Sequence, residues 1–76
     1  MENEALGTVK RFSRMKGWGF IGPDGGDRDV FVHYEKIAGD RFRNLENGEL
    51  LRFLIEDTPK GPKAIEVFSV EASLIL

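Results

Sequence analysis

Ring-bearing residues alternate with small or β-branched ones in two short segments, Gly17-Trp18-Gly19-Phe20-Ile21 and Val30-Phe31-Val32-His33. Just ahead of them, Lys10, Arg11, Arg14 and Lys16 fall within seven residues that contain no acid. Side chains alternate across a strand, so each segment would send its rings to one face: Trp18 and Phe20 from the first, Phe31 and His33 from the second. Rings set among Lys10, Arg11 and Lys16 suit unstacked bases on their π-faces and phosphates on the cations between them. Each stacked base contributes roughly 1–3 kcal/mol. A duplex, whose bases are already stacked and paired, gains little from such a surface.

For the rings to share a face, the two segments must pair. Between them lies Pro23-Asp24-Gly25-Gly26-Asp27-Arg28, with Pro to stop a strand and Asp-Gly and Gly-Gly to reverse the chain. An antiparallel hairpin of strands over 17–22 and 29–34 is therefore expected. It has one face of Ile21, Val30 and Val32 and another of Trp18, Phe20, Phe31 and His33. The β-branched face suits the interior of a small barrel, because Gly17 and Gly19 take little volume and let the strand bend. The ring face is then left outside, a contiguous apolar patch that a monomer rarely exposes without a use. The pattern alone leaves two other arrangements open: rings as core with valines outward, or a ring face that meets another protein.

The remaining elements are also strands, since no stretch repeats apolar residues at helical spacing for ten or more positions. Strands are expected over 7–13, 50–56 and 63–70. Leu51, Phe53 and Ile55 face inward in the fourth strand, although Leu50 and Leu54 blur its outer face, and Ile65 and Val67 face inward in the fifth. Residues 35–48 read as a long loop with one short helical turn, and Thr58-Pro59-Lys60-Gly61-Pro62 as a turn. Phe12, Phe53 and Phe68 alternate with polar residues and are assigned to packing. Five short strands in so small a chain are expected to curl into a closed barrel, which removes free edges.

Composition narrows the function classes. The 76 residues, 41% hydrophobic and without cysteine, form one domain held by packing alone. No run approaches the ~18 apolar residues of a membrane span, and the start MENEALGTVK lacks a signal-peptide pattern, so a cytoplasmic location is expected. A single histidine and no cysteine argue against a zinc site, and Asp24, Asp27 and Asp29 read as turn polarity rather than metal ligands. No cofactor is expected. A net charge of −2 argues against duplex binding by bulk positive charge. Gly17-x-Gly19-x-x-Gly22 matches a dinucleotide fingerprint in letters only, because Pro23-Asp24-Gly25-Gly26 follows where a helix N-terminus is required. No catalytic partner for His33 is visible, and the protein is not expected to be an enzyme.

Gly7-Thr8-Val9-Lys10-x-Phe12, Lys16-Gly17-Trp18-Gly19-Phe20-Ile21, Asp29-Val30-Phe31-Val32-His33-Tyr34 and Gly61-Pro62 together resemble the cold-shock domain of bacterial cold-shock proteins, from Gly7 to about Val67. The resemblance implies an all-β, five-stranded antiparallel barrel of the oligonucleotide-binding fold. It also implies binding of single-stranded RNA and DNA, typically as an RNA chaperone. Trp18, Phe20, Phe31, His33 and Phe42 would contact bases with Tyr34 beside them, Lys10 and Lys16 would hold phosphates, and Lys60 and Pro62 would line the far loop. Two positions depart from the family pattern. Arg11 stands where the family usually has Trp, and Trp18 where it has Phe or Tyr, so binding is expected to persist with altered base preference and greater salt sensitivity.

The chain thus divides into a lead-in (1–6), the cold-shock domain (7–70) and an apolar tail (71–76) ending Leu74-Ile75-Leu76. A monomer is expected, with the tail or a strand edge as routes to a dimer and no membrane or small-molecule partner. The rival class is a small barrel whose ring patch or tail meets another protein.

Overall fold

The computed structural model describes residues 4–26, 28–38 and 45–70. Five strands follow in order: β1 (Glu4–Ser13), β2 (Trp18–Pro23), β3 (Val30–His33), β4 (Leu50–Thr58) and β5 (Gly61–Ser69). A single 3₁₀ turn, Tyr34–Lys36, follows β3. The strands close into a barrel in the order β1-β2-β3-β5-β4. Neighbours pair antiparallel except β3 and β5, which meet in parallel at Phe31 and Lys63. An isolated parallel bridge between Ile37 and Val67 extends that seam.

The expected alternation of β2 and β3 is what the structure shows. Ile21, Val30 and Val32 are buried in the barrel, with Val9, Leu51 and Phe53 packed against them. The arrangement with rings inside and valines outside is therefore excluded. Gly19 is the point of closest approach between β1 and β2. A Cβ there would lie 2.1 Å from the Arg11 carbonyl oxygen and 2.6 Å from Phe12 Cα.

Strand ends differ from the expectation where pairing extends them. β1 begins at Glu4 because Glu4, Ala5 and Leu6 pair with Leu54, Phe53 and Arg52. β5 begins at Gly61 because Thr58 pairs with Gly61 across a two-residue turn, Pro59-Lys60. Within that turn the Thr58 hydroxyl donates to the Gly61 carbonyl at 2.7 Å and accepts from the Lys60 N–H at 3.2 Å.

Two expectations for β5 are corrected. Ile65 is only half-buried, and Ala64 takes the interior place beside Val67. The register explains the exchange: Arg52 faces Phe68 but Leu54 faces Ile65, so Glu66 and Val67 together oppose Phe53. Glu66 takes up the extra residue with φ of 52°, and a bulge reverses the alternation on its far side. Phe68, expected to pack, is 40% exposed on the outer face with the Arg52 guanidinium 5.2 Å from its ring centroid. Leu6, at 46%, lies in the same row, since it pairs with Arg52.

Glu49 is the one acidic side chain buried among the described residues. Its carboxylate accepts the Glu46 N–H at 3.0 Å and the Ser69 hydroxyl at 2.5 Å. Those bonds fix the approach to β4, whose backbone in turn grips Val9: Val9 N–H donates to Glu49 O and Gly48 N–H to Val9 O.

Candidate nucleic-acid interface

The outer face of the β2–β3 hairpin is built by register. Trp18 pairs with His33 and Phe20 with Phe31, so all four rings leave the sheet on one side. Trp18, Phe20 and Phe31 form a triangle with centroid separations of 6.0, 5.8 and 5.9 Å. Trp18 and Phe31 are tilted by only 36° to one another, whereas Phe20 stands at 90° to Trp18 and 73° to Phe31. Trp18 and Phe31 are thus roughly co-oriented plates, and Phe20 is a wedge that keeps them apart.

His33 has a second task that its ring chemistry alone does not disclose. It caps the 3₁₀ turn, with Nδ1 accepting the Glu35 N–H at 3.3 Å. A nitrogen that accepts carries no proton, so the 3.8 Å approach of the Glu35 carboxylate to the same atom is not an ion pair in this tautomer. Nε2 then holds the proton and donates. Tyr34 stacks beside His33 at 4.7 Å and also packs on the core. The room for its ring comes from Gly17, where a Cβ would fall 2.6 Å from Tyr34 Cδ2 and where φ is +80°.

The basic run divides into two kinds of cation. Lys10 pairs with Asp29 at 3.1 Å and Arg14 with Glu46 at 3.6 Å. Arg11 and Lys16 instead lie over rings, Arg11 Cζ 5.8 Å from the Phe20 centroid and Lys16 Nζ 5.8 Å from that of Trp18. Regular alternation would bury Arg11, two residues after buried Val9. The register jumps from Val9–Ile21 to Arg11–Phe20, leaving Lys10 as the extra residue of a bulge, so Lys10 and Arg11 both face outward.

Lys60 and Pro62 arrive from the β4–β5 turn and, with Pro59 and Lys63, wall a cleft whose floor is Phe20 and Phe31. The structure thereby brings together Arg11, Lys16, Trp18, Phe20, Phe31, His33, Tyr34, Lys60 and Pro62, with Lys10 at the margin. Phe42 and the 71–76 tail lie outside the described residues, as does Asp27. Sequence reasoning missed Lys36 and Lys63, which line a groove with Phe31 and His33. Only the parallel β3–β5 closure places Lys63 beside Phe31, and no local pattern announces a partner so distant in the chain.

A family model described as the 'Cold-shock' DNA-binding domain matches residues 5–70. The chain belongs to the cold-shock domain family. It is 52% identical over 64 residues to the probable cold shock protein A of Mycobacterium tuberculosis, covering 84% of this chain and 96% of that protein. It is 48% identical over 64 residues to the cold shock-like protein CspC of Buchnera aphidicola (84% and 93%). To the cold shock-like protein CspI of Escherichia coli it is 43% identical over 70 residues (92% and 100%). The solved structure of Drosophila Unr CSD456 shares the fold with a TM-score of 0.77 at 16% identity, covering 99% of this chain and 30% of that one. Both departures from the usual cold-shock pattern fall on the ring face, with Arg11 over Phe20 and Trp18 as one of the two co-oriented plates.

Proposed function

We propose that this cold-shock domain binds single-stranded RNA and DNA by stacking bases on Trp18 and Phe31, with Phe20 and His33 at their edges and Arg11, Lys16 and Lys60 meeting phosphates or base edges. The observation that carries the reading is the outward ring triangle with two cations seated on it. A cation over a ring is displaceable, and a base or phosphate that takes its place recovers the interaction. The membership of a family described as DNA-binding, and relatives named cold shock proteins, support the same reading. In this reading the protein is a cytoplasmic, monomeric, non-catalytic RNA chaperone that holds transcripts unpaired with weak sequence preference.

Trp18 is the only tryptophan, so its fluorescence reports the site. Titration with oligothymidine or oligouridine of about 7 nucleotides, inside the ~4–16 range of one such fold, is expected to quench it saturably. A duplex of equal length is expected to do little. Affinity should fall with salt at a slope of about −0.7 per phosphate contact. No quenching by either single strand, in folded protein at low salt, overturns the reading, and a mass that rises with protein concentration alone would favour a protein-interaction surface.

A further inference from the structure

Arg11 differs from the other cations near the ring face. Lys10, Arg14 and Lys63 each have a carboxylate within 4 Å, whereas among the described residues Arg11 has the Phe20 ring and no acidic partner. Its five N–H donors point outward from a plane that nothing in the described protein occupies. The bulge at Lys10 makes this possible by turning Arg11 out of the barrel and placing it opposite Phe20.

The ring geometry decides what those donors meet. Phe20 stands at 90° to Trp18, so a guanidinium over the Phe20 face is displaced sideways along the Trp18 plane rather than stacked above it. The edge of a base resting on Trp18 lies in that direction. An arginine beside a base edge forms two parallel hydrogen bonds only where two acceptors stand side by side. Guanine has such a pair in O6 and N7, whereas adenine and cytosine place an amino donor on that edge and thymine offers one carbonyl.

We propose that Arg11 is a specificity-determining residue that selects guanine at the nucleotide stacked on Trp18. This rests on the single-strand reading above and gives one position of an otherwise tolerant site a base identity. Arg11 lies on an exposed bulge, so replacing it leaves the buried face of β1 intact.

The test compares oligothymidine of about 7 nucleotides with the same strand carrying one deoxyguanosine at each position in turn, by Trp18 quenching at fixed salt. In the unaltered protein one placement is expected to bind at least about 5-fold tighter than oligothymidine, the lower end of what one bidentate pair contributes. Arg11→Lys, which keeps the charge and loses the fork, should abolish that preference and retain the salt slope. Arg11→Gln should abolish it and lower the slope. Three results overturn the proposal: no placement of guanine exceeding thymine, a preference that survives in Arg11→Lys, or equal weakening of all strands by both variants. Equal weakening by Arg11→Gln alone, with a slope lower by about 0.7, would show Arg11 holding phosphate instead and also overturns it. If the unaltered protein fails to bind oligothymidine and every guanine-bearing strand, the single-strand reading itself falls and the inference with it. Oligothymidine binding without guanine preference refutes Arg11 selection alone.

Discussion

Phe31 and Val32 are consecutive residues on opposite faces of β3, so exchanging one or the other should separate binding from stability. Phe31→Leu removes a π-face but keeps an apolar side chain. Losing one stacked base, at roughly 1–3 kcal/mol, should weaken oligothymidine binding about 5- to 150-fold. The ring contacts with Trp18 and Phe20, at 5.8 and 5.9 Å, are worth about 0.5–1.5 kcal/mol each, and leucine retains part of that packing. The melting temperature should therefore fall only modestly. Val32 is fully buried, and Val32→Ala removes two carbons at about 0.8 kcal/mol each plus a cavity, in all about 2–3 kcal/mol. For a domain of this size that corresponds to a melting temperature lower by roughly 10–20 °C. Trp18 quenching in the cold, where both variants are folded by circular dichroism, should show Val32→Ala binding like the parent and Phe31→Leu binding far more weakly. Comparable loss of affinity in folded Val32→Ala, or full affinity in Phe31→Leu, would refute the assignment of the two faces.

Three further changes probe what positions the site. Gly19→Ala sets a methyl against backbone atoms of β1 that no rotamer change can move, so a loss of about 3 kcal/mol or more is expected in thermal melts, and a melt within a few degrees of the parent would contradict the close approach. Glu49→Ala deletes two hydrogen bonds to a charged group and should cost about 2–4 kcal/mol. Glu49→Gln, whose amide can serve both partners, should cost much less, and equal denaturation midpoints for the two variants would exclude a hydrogen-bonding role. Asp29→Asn frees Lys10 from its 3.1 Å partner and should raise oligothymidine affinity a few-fold in low salt, an effect that high salt erases; a salt-independent gain would point away from charge.

Where local alternation decides a residue's place, the sequence was sufficient. Ile21, Val30 and Val32 inside and Trp18, Phe20, Phe31 and His33 outside follow from period two and from glycines that cannot fill a core. Alternation fails at the two bulges, because an extra residue is visible only in the pairing register. Ile65 was therefore assigned to the interior that Ala64 occupies, and the outward turn of Arg11 had no local signal. Phe68 was misread because its hydrophobicity was weighed without its neighbour: across the strand from Arg52, it packs against a guanidinium outside the barrel. The pairing of Lys10 and Arg14 with Asp29 and Glu46 was likewise hidden, since the partners are 19 and 32 residues away (29 − 10 and 46 − 14).

The parallel seam between β3 and β5 bears on how the domain opens. Phe31 and Lys63 are 32 positions apart (63 − 31), and beyond them the seam is extended by the Ile37–Val67 bridge and the Ala38 N–H bond to Val67 O at 2.8 Å. The hairpins β1–β2, β2–β3 and β4–β5 close short loops, whereas this junction closes a long one for few bonds, and long-range pairings of that kind form late in folding. The barrel is thus hinged along a line that passes directly beneath Phe31, and its amides there should exchange with solvent well before those of β1 and β2. A strand of nucleic acid lying from Trp18 across Phe31 to Lys60 spans that line like a suture, so occupancy should slow exchange at the seam first and raise the stability of the whole domain through it.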